Sequence, residues 1–278
     1  MPKDNWYPAA IEQATIDGKQ YGMPLGFLSI VMFYNVDLFK AAGVPLPTED
    51  WTWDDVYSAA AQLTKKDASG KTEVFGMQAP TWIVGEGHAA VLSAGGTGLV
   101  NEEYTKATIN EPVAVDTLQR AVDAILKDGI APRAQDVQGI GDPFDAGKIG
   151  ISVHPSWEIY WHRHIEAFKY DMTILPKDGK TGQRITPGYG GWFAIAKASA
   201  HKDEAWLLLN TGLSPAEDNE TAKKLMTGYG CHFPVKWATK DDWFLRGSAR
   251  PDNWQACFTN LAYAKATPRK WGFREWSG

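Results

Sequence analysis

Runs of β-branched and aromatic residues alternate with apolar stripes at helical spacing along almost the whole chain, and this alternation most constrains what it can fold into. The strand-type runs are residues 19–34, 74–80, 149–153, 172–176 and 189–196. Between them lie helix-type segments at 35–43, 52–63, 88–94, 112–126, 199–209 and 218–228. Strand–helix alternation of this kind implies an α/β architecture with largely parallel sheets. At 278 residues the chain is longer than a single core comfortably serves, so two compact units are expected.

Local punctuation supports the segment boundaries. The helix after Asn35 ends on Gly43, and VPLP at 44–47 makes a rigid extended connection. Thr52 followed by Asp55 has the form of a capping box, with Trp53, Val56, Ala60 and Leu63 at helical spacing behind it. Pro112 suits a first helical turn, Val115, Leu118, Val122, Ile125 and Leu126 make the expected buried stripe, and Gly129 ends the helix. The segment 144–148 is expected to end a helix before the 149–153 strand delivers His154 to Trp157 to a loop. Ser199 is the expected cap of the 199–209 helix.

Composition removes several function classes. A net charge of −5 with scattered basic residues argues against nucleic acid as a partner. No apolar run approaches the ~18 residues of a membrane span. Two cysteines, Cys231 and Cys257, without CxxC spacing indicate neither a zinc site nor a disulfide framework, and leave one late disulfide open. The first residues carry no apolar export segment, which leaves a cytoplasmic chain or one whose export segment is absent, the latter favoured. The 13 tryptophans exceed what packing needs in a core of this size. Flat aromatic faces suit the C–H faces of sugar rings, so some of these side chains are expected to face a ligand.

Several segments, in order, resemble the bacterial extracellular solute-binding proteins of sugar ABC transporters, the maltose-binding-protein-like group. They are GKQYGMP at 18–24, FYNVDLFKAAGVPLP at 33–47, WTWDD at 51–55, LSAGG at 92–96, NEP at 110–112, FDAGKIG at 144–150 with Trp157, GGWFAI at 190–195 with Ser199 and Trp206, and GCHFP at 230–234. The resemblance implies a periplasmic-binding-protein-like two-lobe fold of type II. By its pattern the first lobe is incomplete, comprising residues 1–33 and 189–267, with lobe 2 at 37–186. The crossings between lobes fall at 34–36, 187–188 and 268–278. It further implies a non-enzymatic substrate-binding component of an ABC importer, periplasmic or extracellular, lipid-anchored in its full-length form and without a cofactor. Its partners are then a mono- or oligosaccharide and the membrane permease subunits, and the exposed lobe surface of such a fragment is expected to drive self-association.

The resemblance places ligand contacts on strand-end loops between lobes. Carried over by position, Trp157 matches the stacking tryptophan of the second lobe and Trp82 an aromatic on a neighbouring loop. Gly190 and Gly191 would let a ligand approach the backbone, with Tyr189 and Trp192 beside them. Phe27 and Ser29 precede the first crossing, Arg274 and Trp276 lie at the third, and His154 could bond a hydroxyl. For each there is a structural alternative: an interlobe packing tryptophan for Trp157, a bulge for the glycine pair, a solvated or structural histidine for His154.

The competing class is a secreted glycoside hydrolase, with Glu86, Glu158 and Glu166 as candidate carboxylates. A metal site at His162, His164 and Glu166 would require one strand face, whereas the stretch reads as a helix, where positions two apart diverge. An interaction module with an exposed apolar patch is a third class.

Overall fold

The computed structural model describes residues 3–101, 105–188, 190–214, 216, 219–229, 234–239 and 251–266. In chain order the helices and strands begin with α1 (Pro8–Gln13), β1 (Thr15–Ile16), β2 (Lys19–Gln20), β3 (Met23–Pro24), β4 (Ile30–Asn35), α2 (Val36–Ala42) and α3 (Trp53–Leu63). They continue with β5 (Lys65–Lys66), β6 (Thr72–Met77), α4 (Glu86–Ser93), α5 (Pro112–Leu126), β7 (Ile149–Pro155), α6 (Glu158–His162) and β8 (Tyr170–Ile174). The last are β9 (Thr186–Gly188), β10 (Trp192–Phe193), α7 (Lys202–Leu213), α8 (Glu220–Tyr229), α9 (Ala256–Thr259) and β11 (Ala264–Ala266). The chain divides into two compact units, one of residues 1–29, 187–246 and 264–278, the other of residues 30–186 and 247–263.

The second unit is built on a five-stranded sheet in the order β5-β6-β7-β4-β8. Only β6 and β7 run parallel; β4 is antiparallel to both β7 and β8, and β5 to β6. The largely parallel sheet expected from strand–helix alternation is therefore corrected. Alternation fixes which segments are strands, not the direction in which β4 enters the sheet, and β4 pairs with two strands far along the chain. All six residues of β4 are buried, and its Phe33, with Leu63, Met77, Ile149 and Ile151 of other elements, is among the largest fully buried side chains. Residues 30–33 thus belong to this sheet rather than to the first unit. Residues 251–263 also join it: α9 packs on β8, and the Asn260 amide donates to the Ile30 carbonyl while accepting from Leu175 N at 3.2 Å.

Local chemistry explains the helices. Asn35 caps α2 by accepting from Leu38 N at 3.0 Å, and Gly43 ends it in the left-handed region. Thr52 and Asp55 form the reciprocal capping box of α3. α3 can lie on β6 because Gly76 has no side chain; a Cβ there would fall 1.8 Å from the Ala60 carbonyl oxygen. In α5 the buried residues are Ala114, Ala121 and Ala124, whereas Val115, Val122 and Leu126 are exposed. The expected stripe is rotated: α5 packs on α4, and the small alanines allow the close approach.

Other expectations are corrected in detail. Residues 19–34 are not one strand but β2, β3 and β4 in succession, and of the described residues 190–196 only the two of β10 are strand. Residues 143–147 form turns rather than a helix end. Ser199 does not cap α7 itself; its Oγ accepts from His201 N at 3.1 Å, one residue ahead of the helix. Cys257 is a free, fully buried thiol with Sγ 3.8 Å from Met172 Sδ; Cys231, the other half of the disulfide left open by the sequence, lies outside the described residues.

The first unit is described by small sheets and helices. β1 pairs with β2, β3 with β10, and α7 packs against α8 and β3. Phe27 is buried where Gly188 has no side chain, because a Cβ on Gly188 would fall 2.1 Å from the Phe27 ring.

Candidate functional site

The parallel pairing of β6 and β7 brings two loops to the same end of the sheet. Met77 is in register with Ile151, and Gln78 N donates to Ile151 O at 2.8 Å, so the chain leaves both strands side by side. The loop after β6 carries Gln78 and Trp82; β7 ends in His154 and Pro155, with Trp157 just before α6. The Trp82 and Trp157 rings meet with centroids 6.2 Å apart and planes inclined at 59°. Trp82 is 39% exposed, so the pair presents aromatic surface to solvent.

Polar groups line this pair. The Trp157 indole N–H donates to Glu158 Oε1 at 2.9 Å. His154 Nδ1 lies 3.8 Å from the same oxygen, and its Nε2 is 2.9 Å from the Gln78 side-chain nitrogen. Gln78 Oε1 in turn accepts from the Ser152 hydroxyl at 3.5 Å. On the other side, Trp82 N donates to Glu86 Oε1 at 3.1 Å, and the Trp82 carbonyl accepts from Gly85 N and Gly87 N, making a tight turn into α4. Glu86 is buried and its Oε2 has no partner among the described residues.

The electrostatics follow from burial and from these contacts. Burial raises the Glu86 carboxyl above its ordinary value, and the His154 charge and two backbone N–H groups offset this only in part. Burial opposes a charged His154, yet Glu158, Glu86 and Asp142 together outweigh it and hold its pKa above the ordinary value. Burial likewise opposes the Glu158 carboxylate, but the close approach of His154, the charges of His154 and His162, and the Trp157 indole keep it below the usual value. The arrangement offers two indole faces beside groups that donate to and accept from hydroxyls, which suits a neutral polyhydroxylated ligand.

Trp82, Trp157 and His154 are thus brought together in the second unit. The remaining described candidates lie elsewhere. Phe27 is buried in the first unit, and Ser29 is buried at its edge in sequence. Gly190 is used for close packing, since a Cβ would fall 2.2 Å from Gly26 O, and Gly191 O accepts from Leu25 N at 2.9 Å. The Trp192 ring lies over Gly22. Tyr189, Arg274 and Trp276 lie outside the described residues. Two carboxylates weighed only as hydrolase candidates, Glu86 and Glu158, tether the aromatic pair, whereas Glu166 is exposed. The sequence signal for Glu158 was its place beside Trp157 and four residues after His154. His162 is a core residue, packed edge-on against Phe33 at 4.8 Å and bonded to Asp145 at 2.5 Å. No cluster able to hold a metal occurs among the described residues.

The first unit has a concavity of its own, about 400 Å³, lined by Trp6, Tyr21, Met23, Phe193, Trp206 and Leu209 among others. It contains none of the polar groups found around Trp157.

A family model described as bacterial extracellular solute-binding protein matches residues 1–219. A putative binding protein of Brucella abortus is 27% identical over 214 residues, covering 75% of this chain and 50% of the relative. The arabinooligosaccharide-binding protein of Bacillus subtilis is 26% identical over 246 residues, 84% of this chain and 53% of the relative. Among solved structures, the ABC substrate-binding protein Lmo0181 from Listeria monocytogenes in complex with cycloalternan superposes with a TM-score of 0.81 at 28% identity. That match covers 99% of this chain and 68% of the Listeria chain. The chain spans about half the length of the curated relatives it matches.

Proposed function

This chain belongs to the bacterial extracellular solute-binding proteins, and from that premise we propose that it serves as the substrate-binding component of an ABC importer, taking a mono- or oligosaccharide against Trp82 and Trp157. The observation that carries the reading is the indole pair, Trp82 exposed and Trp157 half-buried, flanked by His154, Gln78 and Glu158. Apolar ring faces supply area to the C–H faces of a sugar, and the flanking groups answer its hydroxyls. The cycloalternan held by the Listeria protein and the arabinooligosaccharide named for the Bacillus relative support a carbohydrate over other solutes.

The role is binding and delivery without turnover. Its partners are the membrane permease subunits of an ABC transporter, and the full-length protein acts outside the cytoplasm, tethered by lipid. No helix among the described residues is long and apolar enough to cross a membrane. The exposed Trp206, Leu207 and Leu208 of α7 support self-association of this chain, which sedimentation at rising concentration would read.

The test is a thermal-shift and tryptophan-fluorescence panel of maltose, mannobiose, arabino-oligosaccharides and cycloalternan. At least one should raise the melting temperature of the parent. Trp157→Ala should weaken that ligand by about 2 kcal/mol, roughly 30-fold in Kd, as for a central aromatic contact. No response to any of the panel overturns the carbohydrate reading, and release of reducing ends overturns the non-enzymatic one.

A further inference from the structure

One carboxylate holds the Trp157 indole and another the main chain of Trp82, and both carboxylates act on one histidine. Glu158 Oε1 accepts from the Trp157 indole at 2.9 Å, and Glu86 Oε1 accepts from Trp82 N at 3.1 Å. The ring of Trp82 occupies the space left by Gly85, where a Cβ would fall 1.9 Å from a ring carbon. His154 feels both carboxylates, with Nδ1 at 3.8 Å from Glu158 Oε1.

The protonation of His154 is coupled to an amide orientation. A primary-amide nitrogen donates and does not accept, so the Gln78 contact at 2.9 Å makes His154 Nε2 an acceptor. The neutral ring then carries its proton on Nδ1, facing Glu158. A second proton on Nε2 would face the amide N–H groups, and Gln78 must turn its carbonyl to the imidazole to satisfy it. Ser152 accommodates both orientations, because its hydroxyl donates to Gln78 Oε1 in one and accepts from the amide nitrogen in the other.

We propose that His154 is a positioning residue for the aromatic pair: its proton, held between Gln78 and Glu158, fixes the orientation in which Trp157 meets Trp82 and makes carbohydrate affinity at this face pH-dependent. The second half rests on the ligand reading above; the first does not. The charged and titratable groups that act on the relay are Glu86 on α4, Glu158 and His162 on α6, and Asp142 in the turns before β7. Glu158 is ionised across the neutral range, so the charged pair exists below the pKa of His154, which lies above the ordinary 6.5. A group whose folded pKa is raised contributes fully below its unfolded pKa and loses that contribution as pH rises through the folded one. The tether on Trp157 therefore slackens on the alkaline side.

Two indoles this close give an exciton couplet in circular dichroism, which needs no ligand. The experiment follows that couplet from about pH 5 to about pH 9, with Trp82→Phe identifying the signal. The parent couplet should titrate with one midpoint above the ordinary imidazole value. His154→Gln should keep a couplet that is flat with pH. Glu158→Gln, which preserves an acceptor for the indole, should shift the midpoint down. In parallel, affinity for maltose and mannobiose should weaken roughly fivefold or more through the same midpoint, the lower end of ordinary coupling between sites. A flat parent couplet, or a transition that survives in His154→Gln or does not shift in Glu158→Gln, overturns the role of His154. A titrating couplet in a protein that binds no carbohydrate overturns the ligand reading and leaves the positioning role standing.

Discussion

The Trp82 ring fills the volume that a side chain on Gly85 would need. A Cβ on Gly85 would lie 1.9 Å from one ring carbon and 2.5 Å from a second. Gly85→Ala sets a methyl against the ring, so the ring must move or the turn into α4 must shift. Expected outcomes are a changed tryptophan couplet, loss of most carbohydrate affinity and a stability cost of about 1–3 kcal/mol. Unchanged dichroism with unchanged affinity would refute the account.

Gly76 poses the same problem with a rigid neighbour. The nearest atoms to its missing Cβ are the backbone of Ala60, the carbonyl oxygen at 1.8 Å, so no flexible group can move aside. Gly76→Ala must lift α3 off β6 and should cost about 3 kcal/mol or more in chemical denaturation. A loss below about 1 kcal/mol would show that the contact is not needed.

Glu86 predicts a pH dependence of stability. Its folded pKa is raised by burial, so its contribution is complete below the unfolded carboxyl pKa and is lost as pH rises through the folded value. Glu86→Gln keeps an acceptor for Trp82 N but carries no charge. The variant should match the parent in acid and melt higher at neutral pH. Melting curves across that range decide it, and a variant less stable than the parent at neutral pH counts against the assignment.

Asn260 is fully buried and serves two backbone groups in the second unit, donating to Ile30 O and accepting from Leu175 N. Asn260→Leu leaves a buried carbonyl and a buried N–H without that partner. It should cost about 2 kcal/mol or more, read as a lowered urea midpoint at unchanged slope.

What the sequence made legible was local. The Thr52–Asp55 box and the Asn35 and Gly43 ends of α2 are written within a few residues and are legible there. The packing face of α5 is not, because it is made of Ala114, Ala121 and Ala124, while the large apolar residues lie off it. Strand direction is not legible either, because β4 takes its partners from far along the chain. Position along the chain points to Trp82, Trp157 and His154, but nothing local says that the two indoles meet. That relation exists only once β6 and β7 lie side by side.

The placement of β4 between β7 and β8 also sets an order for synthesis. β4 leaves the ribosome before β7 and β8, all six of its residues buried in the finished sheet, yet Tyr34 and its β8 partner Asp171 are 137 positions apart. At roughly 5–20 residues per second, the strand waits on the order of ten seconds before both neighbours exist. During that interval it is an unpaired, adhesive ribbon, and a chaperone that holds extended apolar segments has its natural client in residues 30–35.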